Sequence, residues 1–239
     1  MNLALIGYGK MGKAIEEIAL QKGHNIVLKI DITNADEFNQ ANLSKADVAI
    51  EFTGPESAVD NVKKCIEAGV PVVSGSTGWL DKWKEVVQFC NENNGGLLYA
   101  SNFSIGVNIF FEVNRHLGRL MASRNEYNVS VEEIHHKQKK DAPSGTAITL
   151  AEGILENLPA KNKWALGETS QKDELSIISK RIDPAPGTHI ITYDSPVDSI
   201  EIKHTAHSRT GFASGAVLAA EFMIGKIGVY GMKDVLKIN

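Results

Sequence analysis

The first hundred residues alternate short apolar runs with amphipathic stretches. Leu3-Ala4-Leu5-Ile6, Ile26-Val27-Leu28-Lys29-Ile30, Val48-Ala49-Ile50-Glu51-Phe52, Val70-Pro71-Val72-Val73-Ser74 and Leu97-Leu98-Tyr99-Ala100 read as strands. Their nearly unbroken apolar character suits strands buried on both faces. Between them, Ile15, Ile18 and Ala19 fall at helical spacing, residues 56–68 read as a helix stopped by Gly69, and another helix is expected over residues 79–93. Strands alternating with helices predict a Rossmann-type, doubly wound parallel sheet, which binds ligands at the carboxyl ends of its strands.

The pattern changes near Ser104, a candidate helix N-cap. A helical stripe runs through Val107, Phe110, Phe111, Val113, Leu117 and Leu120, and a strand through Val129, Val131 and Ile134 leads to His135. A helix is expected over residues 144–157, and residues 158–174, which lack a period, read as loop. Residues 175–182, 188–193 and 199–206 are strand candidates with no helix between them, which indicates an antiparallel or mixed sheet. Residues 213–224 form a small, apolar helical stretch, and the tail through Val229, Tyr230 and Leu236 is expected to return to the first domain. The expected division is a dinucleotide-binding domain of residues 1–104 and 213–239, and a second, α+β domain of residues 105–212.

A chain of 239 residues is long enough for two such cores. Its net charge of −4 gives no sign of nucleic-acid or anionic-membrane affinity. No apolar run is long enough for a membrane helix. Met1 leads directly into an apolar run and glycines, without the basic segment of a secretory leader, so a cytoplasmic protein is expected. Cys65 and Cys90 lack CxxC partners and read as buried free thiols in a reducing compartment.

The first strand ends in Gly7-Tyr8-Gly9-Lys10-Met11-Gly12, a GxGxxG. The first glycine permits a tight turn, the second lets backbone approach a pyrophosphate, and the third lets the helix pack on the strand. Such a motif alone is often only a glycine-rich turn. Here it follows a strand and opens a helix, and the second strand ends at Asp31, placed to accept from ribose hydroxyls. Ile32-Thr33-Asn34 offers no arginine for a 2′-phosphate, which favours NADH over NADPH, although Lys10 or Lys13 could meet a phosphate. Thr53, Gly75-Ser76-Thr77 and Ala100-Ser101-Asn102-Phe103 close further strands and are candidates for the nicotinamide-ribose side.

The densest chemistry lies in His135-His136-Lys137-Gln138-Lys139-Lys140-Asp141-Ala142-Pro143-Ser144-Gly145-Thr146. If the strand stays regular through residue 136, the two histidines face opposite sides, which argues against one shared metal. His204 and His207, read as lying in a strand, lack zinc spacing, so no metal site is expected. An isolated histidine is usually a hydrogen-bonded core or rim residue, and exposed lysines are usually solvated. Here they precede a helix start at Ser144, Gly145 and Thr146, whose N–H groups suit a carboxylate even if Ser144 merely caps. The set describes a small-carboxylate site in which a protonated histidine or lysine donates a proton.

These residues carry a resemblance. Glu133, His135, His136, Lys139, Asp141, Pro143, Ser144, Gly145, Thr146 and Ala147 match E-x-H-H-x-x-K-x-D-x-P-S-G-T-A, the hallmark of the 4-hydroxy-tetrahydrodipicolinate (dihydrodipicolinate) reductase family of lysine and diaminopimelate biosynthesis. Gly7–Gly12, Gly75-Ser76-Thr77-Gly78, residues 102–108 and the Arg209…Phe212-Ala213…Gly215-Ala216 run extend it over nearly the whole chain. The resemblance implies hydride transfer from NADH or NADPH to C4 of a cyclic dicarboxylate, giving tetrahydrodipicolinate. It implies His135 as proton donor, Lys139 as the lysine acting on substrate, and His136 with Gly145 and Thr146 as carboxylate ligands. It also implies a homotetramer assembled through the second domain's sheets. The chain departs in being short between Asp31 and Ala46, in Ser76 where threonine is common, and in Asp31-Ile32 for an acid-plus-arginine pair. An aspartate-dehydrogenase-like enzyme would share the glycine motif but not the hallmark, and a nicotinamide-binding sensor should have lost the acid or the anion site.

Overall fold

The computed structural model describes residues 1–208 and 210–238. The chain forms two compact units, Met1–Ile105 with Thr210–Asn239, and Gly106–Arg209. The return to the first unit comes earlier than residue 213 because the small-residue helix already starts at Thr210.

The first unit is built from β1 (Asn2–Ile6), α1 (Lys10–Gln21), β2 (Asn25–Ile30), a 3-10 turn at Ala35–Glu37, α2 (Gln40–Leu43), β3 (Val48–Glu51), α3 (Pro55–Glu67), β4 (Val72–Ser74), α4 (Trp83–Glu92) and β5 (Gly96–Tyr99). The second unit contributes α5 (Ile105–Met121), β6 (Asn128–His135), α6 (Gly145–Leu155), β7 (Lys163–Leu166), β8 (Glu174–Arg181), β9 (Thr188–Asp194) and β10 (Ser199–Thr205). The chain then returns through α7 (Thr210–Met223), β11 (Gly228–Tyr230) and α8 (Met232–Leu236).

Six parallel strands make the first sheet, in the order β11-β5-β4-β3-β1-β2. Strand alternation sends Ala4, Ile6, Ala49, Val72 and Leu97 into a core with α3 and α4. Leu3, Leu5, Val48, Ile50, Val73 and Leu98 enter the opposite core with α1 and α7. Burial on both faces explains the unbroken apolar runs. The small residues of α7 have a steric cause: a Cβ on Gly215 would lie 1.8 Å from the Phe103 carbonyl oxygen. The helix expected from residue 79 starts at Trp83. Residues 80–82 form a 3-10 turn, and buried Trp79 donates its Nε1–H to the Ser76 carbonyl at 2.7 Å.

The second sheet is mixed, in the order β10-β9-β6-β8-β7. β9 pairs antiparallel with β6 and β10, whereas β8 is parallel to β6 and β7. Val129, Val131, Leu175, Ile177, Ile191 and Tyr193 face α5 and α6 and form the third core. Alternate residues, including Ile134, Ile178 and Ile190, are half-buried on the other face. β7 corrects the expectation of loop over residues 158–174. Lys-Trp-Ala-Leu is a short edge strand that alternation in sequence does not reveal. No helix among the described residues is long and apolar enough to cross a membrane.

Candidate active site

In the first unit the glycine motif has a steric basis. Gly7 has φ +98°, and a Cβ there would lie 2.1 Å from the Phe52 carbonyl oxygen. A Cβ on Gly12 would lie 2.4 Å from the Gly7 carbonyl oxygen, so the third glycine makes room for the turn itself more than for the strand. Gly9 faces open space at the start of α1, which has no side-chain cap. An open, uncapped helix N-terminus suits a phosphate. Lys10 is exposed, and Met11 packs against the core. The Tyr8 hydroxyl donates to Glu16, and Lys29 lies 5.0 Å from its ring.

A cavity of about 600 Å³ runs from Gly7 and Gly9 past Asp31, Phe38, Thr53 and Lys64. Asp31 Oδ1 accepts from the Thr33 hydroxyl at 2.6 Å and N–H at 2.7 Å. Those bonds hold its carboxyl below the usual carboxylate range. Lys64, from α3, lies 5.1 Å from the Phe38 ring. Sequence reading misses it, because only the fold brings α3 to this cavity.

At the ends of β3 and β4 the organising residue is Glu51, which is fully buried. Its carboxylate accepts from Ser74 Oγ (2.7 Å), Ser76 Oγ (2.7 Å), Thr53 N–H (2.9 Å) and the Thr53 hydroxyl. Thr53 and Ser76 are therefore held from behind by one acid. The only sequence signal for Glu51 is a lone carboxylate inside an apolar strand. Gly75 leaves space for the Phe52 ring, which a Cβ would approach to 2.2 Å. Thr77 and Ser101 are exposed, whereas Ala100, Asn102 and Phe103 are buried. Asn102 Oδ1 accepts from Ser104 N–H at 2.9 Å, and the Phe103 ring packs on Phe52 at 5.6 Å. Phe103 is thus a core side chain. Arg209 lies outside the described residues.

In the second unit, alternation along β6 puts Glu133 and His135 on the core face. Strand register then supplies their partners. β9 places His189 opposite Glu133, and β8 places Ser179 beside Glu133 and Arg181 beside His135. Glu133 is fully buried and accepts from Ser179 Oγ (2.7 Å), Arg181 Nη2 (3.0 Å) and Ser144 N–H (3.1 and 3.2 Å to its two oxygens). Burial pushes its carboxyl up, but the hydrogen bonds from Ser144, Ser179 and Arg181, with His135 close by, outweigh that and hold it well below the usual range.

His135 Nδ1 lies 3.3 Å from Glu133 Oε2, a close approach that is not an aligned hydrogen bond. Its Nε2 faces Gly187, where a Cβ would lie 3.2 Å away. His189 packs edge-on to the His135 ring at 5.1 Å, with Nε2 3.3 Å from Ser144 Oγ. Burial, aided by His135, pushes His189 down to about 3, so it is neutral at physiological pH.

β6 ends at His135, and His136 lies just beyond it, half-buried. The Lys139 ammonium bridges both Asp141 oxygens at 2.9 Å. Burial raises the Asp141 carboxyl, but Lys139 lowers it further, so the carboxylate is ionised. Lys137 and Lys140 are exposed. Ser144 is engaged within the protein: its Oγ caps α6 by accepting from Ala147 N–H at 3.2 Å, and its own N–H serves Glu133. Gly145 is exposed at the helix start with open space around it, and Thr146 follows half-buried.

Donor atoms of Glu133, His135 and His189 lie within 4.8 Å of one another, close enough to hold a metal. Both Glu133 oxygens already accept protein donors, however, and a guanidinium adjoins them. That donor set is already filled by protein donors and is not a vacant coordination shell. His204 is in β10, 5.9 Å from the Phe110 ring, but His207 lies past the strand end, which corrects its expected placement in a strand.

Comparison with known proteins shows the family. Residues 1–103 match the family described as dihydrodipicolinate reductase, N-terminus, and residues 106–236 its C-terminus. A curated relative from Christiangramia forsetii, named 4-hydroxy-tetrahydrodipicolinate reductase, is 50% identical over 99% of this chain and 98% of its own. One of the same name from Neisseria gonorrhoeae is 36% identical over 94% and 84%. Among solved structures, dipicolinate-bound dihydrodipicolinate reductase from Paenisporosarcina sp. TG-14 superposes with a TM-score of 0.77 at 23% identity, covering 98% of each chain. An engineered D-amino acid dehydrogenase bound to NADP+ shares the nucleotide-binding fold more distantly, with a TM-score of 0.52 at 16% identity over 100% of this chain and 96% of its own. The chain belongs to the dihydrodipicolinate reductase family, a family of nicotinamide-dependent oxidoreductases of lysine biosynthesis.

Proposed function

We propose that this chain reduces the cyclic dicarboxylate formed from 4-hydroxy-tetrahydrodipicolinate to tetrahydrodipicolinate. The observation that carries the reading is the buried Glu133 carboxylate 3.3 Å from His135 Nδ1, at the end of the strand that leads into Lys139 and the open start of α6. The first unit binds the dinucleotide, and the second binds substrate. The Gly7–Gly12 turn would hold the dinucleotide, with Thr53, Ser76 and Thr77 toward its ribose side, and the reduced nicotinamide would supply the hydride for C4. His135 delivers the proton that completes the reduction, with Glu133 bracing its ring. Lys139 offsets substrate charge, and His136 with the Gly145 and Thr146 N–H groups holds a carboxylate.

NADH is the preferred cofactor. The ionised Asp31 at the end of β2 accepts ribose hydroxyls and repels a 2′-phosphate, while Lys64 makes NADPH usable. The half-buried face carrying Ile134, Ile178 and Ile190 suits assembly into a homotetramer, and the two buried free thiols suit a cytoplasmic setting. The deciding assay couples the chain to dihydrodipicolinate synthase and follows NADH and NADPH oxidation. Substrate-dependent oxidation with a lower KM for NADH is expected. No substrate-dependent oxidation overturns the reading, and a clear preference for NADPH overturns the cofactor assignment. Light scattering that shows a monomer overturns the tetramer.

A further inference from the structure

The segment that carries Lys139 has little backbone structure of its own. Among the described residues, Lys137 to Pro143 makes one backbone–backbone hydrogen bond, from Lys139 N–H to the His136 carbonyl at 3.1 Å. Side chains from the end of β8 and just beyond it do the holding. Asp183 Oδ1 accepts from Lys137 N–H at 3.1 Å. Arg181 does more. Its Nε donates to the Lys139 carbonyl at 3.3 Å, and its Nη2 donates both to the Asp141 carbonyl at 2.6 Å and to Glu133 Oε1 at 3.0 Å. Nη1 adds a bond to the Lys180 carbonyl at 2.9 Å. The Nε–H and both Nη2–H groups are therefore engaged with protein, which leaves that edge of the guanidinium nothing to offer a ligand.

The anchor for this edge is the same buried carboxylate that lies 3.3 Å from His135 Nδ1. One planar group thus ties the Lys139 segment to the histidine's acid partner. A lysine could supply the charge but not the planar fork that meets two carbonyls and a carboxylate together.

We propose that Arg181 is a positioning residue for the reduction, acting through Lys139 by fixing its segment against Glu133 and His135. This rests on the reading that Lys139 binds substrate. In this structure Lys139 is paired with Asp141, so the lysine must exchange that carboxylate for one on the substrate. The exchange is efficient only if the backbone stays in place while the ammonium changes partner.

The test is a double-mutant cycle of Arg181→Lys and Lys139→Ala in the full chain, with steady-state kinetics, nucleotide titration and dipicolinate titration as readouts. Arg181→Lys is expected to weaken dipicolinate binding and raise the dicarboxylate KM by roughly 10- to 100-fold, the range for losing a hydrogen bond to a charged group. It should lower kcat and leave nucleotide affinity within about twofold, since the first unit is untouched. In the Lys139→Ala background the same change should add little, because the residue it positions is gone. Unchanged dicarboxylate KM and kcat in folded Arg181→Lys, or fully additive effects, overturn the proposal. If Arg181→Lys does not fold, the pair Arg181→Met with Glu133→Gln removes both charges and avoids an unpaired one. Native-like dipicolinate affinity in that pair also overturns it, and failure of both proteins to fold assigns Arg181 to the fold alone. A wild-type chain without reductase activity fails the underlying reading instead, a separate result.

Discussion

Replacing Glu133 by glutamine tests whether the buried carboxylate organises the second unit. The amide side chain would keep one acceptor oxygen and place an N–H₂ where the other stood. Both Glu133 oxygens lie within 3.2 Å of Ser144 N–H, so one orientation of the amide opposes donor to donor there. The other orientation opposes Arg181 Nη2 and leaves Ser179 Oγ without its charged acceptor. Either way the Arg181 charge loses its counter-ion. Breaking a buried ion pair from one side costs roughly 3–5 kcal/mol. Because the Arg181 side chain is 20% exposed, water recovers part of the loss, and the low end, about 3 kcal/mol, applies. At about 2–4 °C per kcal/mol for a chain of this size, the melting temperature falls by about 6–12 °C.

The pH dependence has a definite sign. The folded-state carboxyl titrates below its ordinary value of 4.5, so its contribution is complete above that value and disappears as pH falls through the lower folded value. Calorimetry of both proteins should show a constant gap from pH 8 down to about pH 5 that narrows only at more acid pH. A variant melting within a degree of wild type at pH 7, or a gap that widens on acidification, refutes the reasoning.

Three further expectations concern other residues. His135→Gln should lower kcat by roughly 10²–10⁴, the range for a lost general acid, and an unchanged kcat removes His135 from the mechanism. His189 is held neutral down to about pH 3, so the unfolded chain binds its proton first as pH falls below 6.5. Wild-type stability should then decline through that window by up to about 1.4 kcal/mol per pH unit, and denaturant titrations of His189→Gln should show a shallower slope; an identical slope contradicts the assignment. Gly7→Ala should abolish NADH binding, read by nucleotide fluorescence, because its Cβ would sit 2.1 Å from the Phe52 carbonyl oxygen; native affinity in this variant would show that the turn relaxes.

How much is legible in the sequence depends on whether a signal is local. The first unit's strands can be read because each is buried on both faces, and its turn can be read because steric need selects glycine at 7 and 12. The residues that hold the His135–Thr146 stretch cannot. Glu133 is visible only as part of a matched hallmark, and Ser179, Arg181 and His189 belong to strands whose neighbours follow no sequence order. Their meeting depends on the parallel register of β8 and the antiparallel register of β9 against β6, and a one-residue slip of either would send its side chains to the opposite face. Glu51 and Lys64 escape for a similar reason, since an acid in an apolar strand and a lysine on a helix declare no partner until the sheet is assembled.

The groups proposed to react are therefore clustered along the chain, while the groups that hold them are dispersed. Proton transfer and carboxylate binding need few residue types in a short span, and in the proposed mechanism the 135–146 stretch supplies them. Orientation needs rigid neighbours on separate strands, because a segment with one backbone hydrogen bond among the described residues cannot hold its own lysine. The mixed order of the second sheet has a structural consequence here. A strand flanked on one side by a parallel partner and on the other by an antiparallel one receives Ser179 and Arg181 from one edge and His189 from the other, all on the face where Glu133 and His135 project.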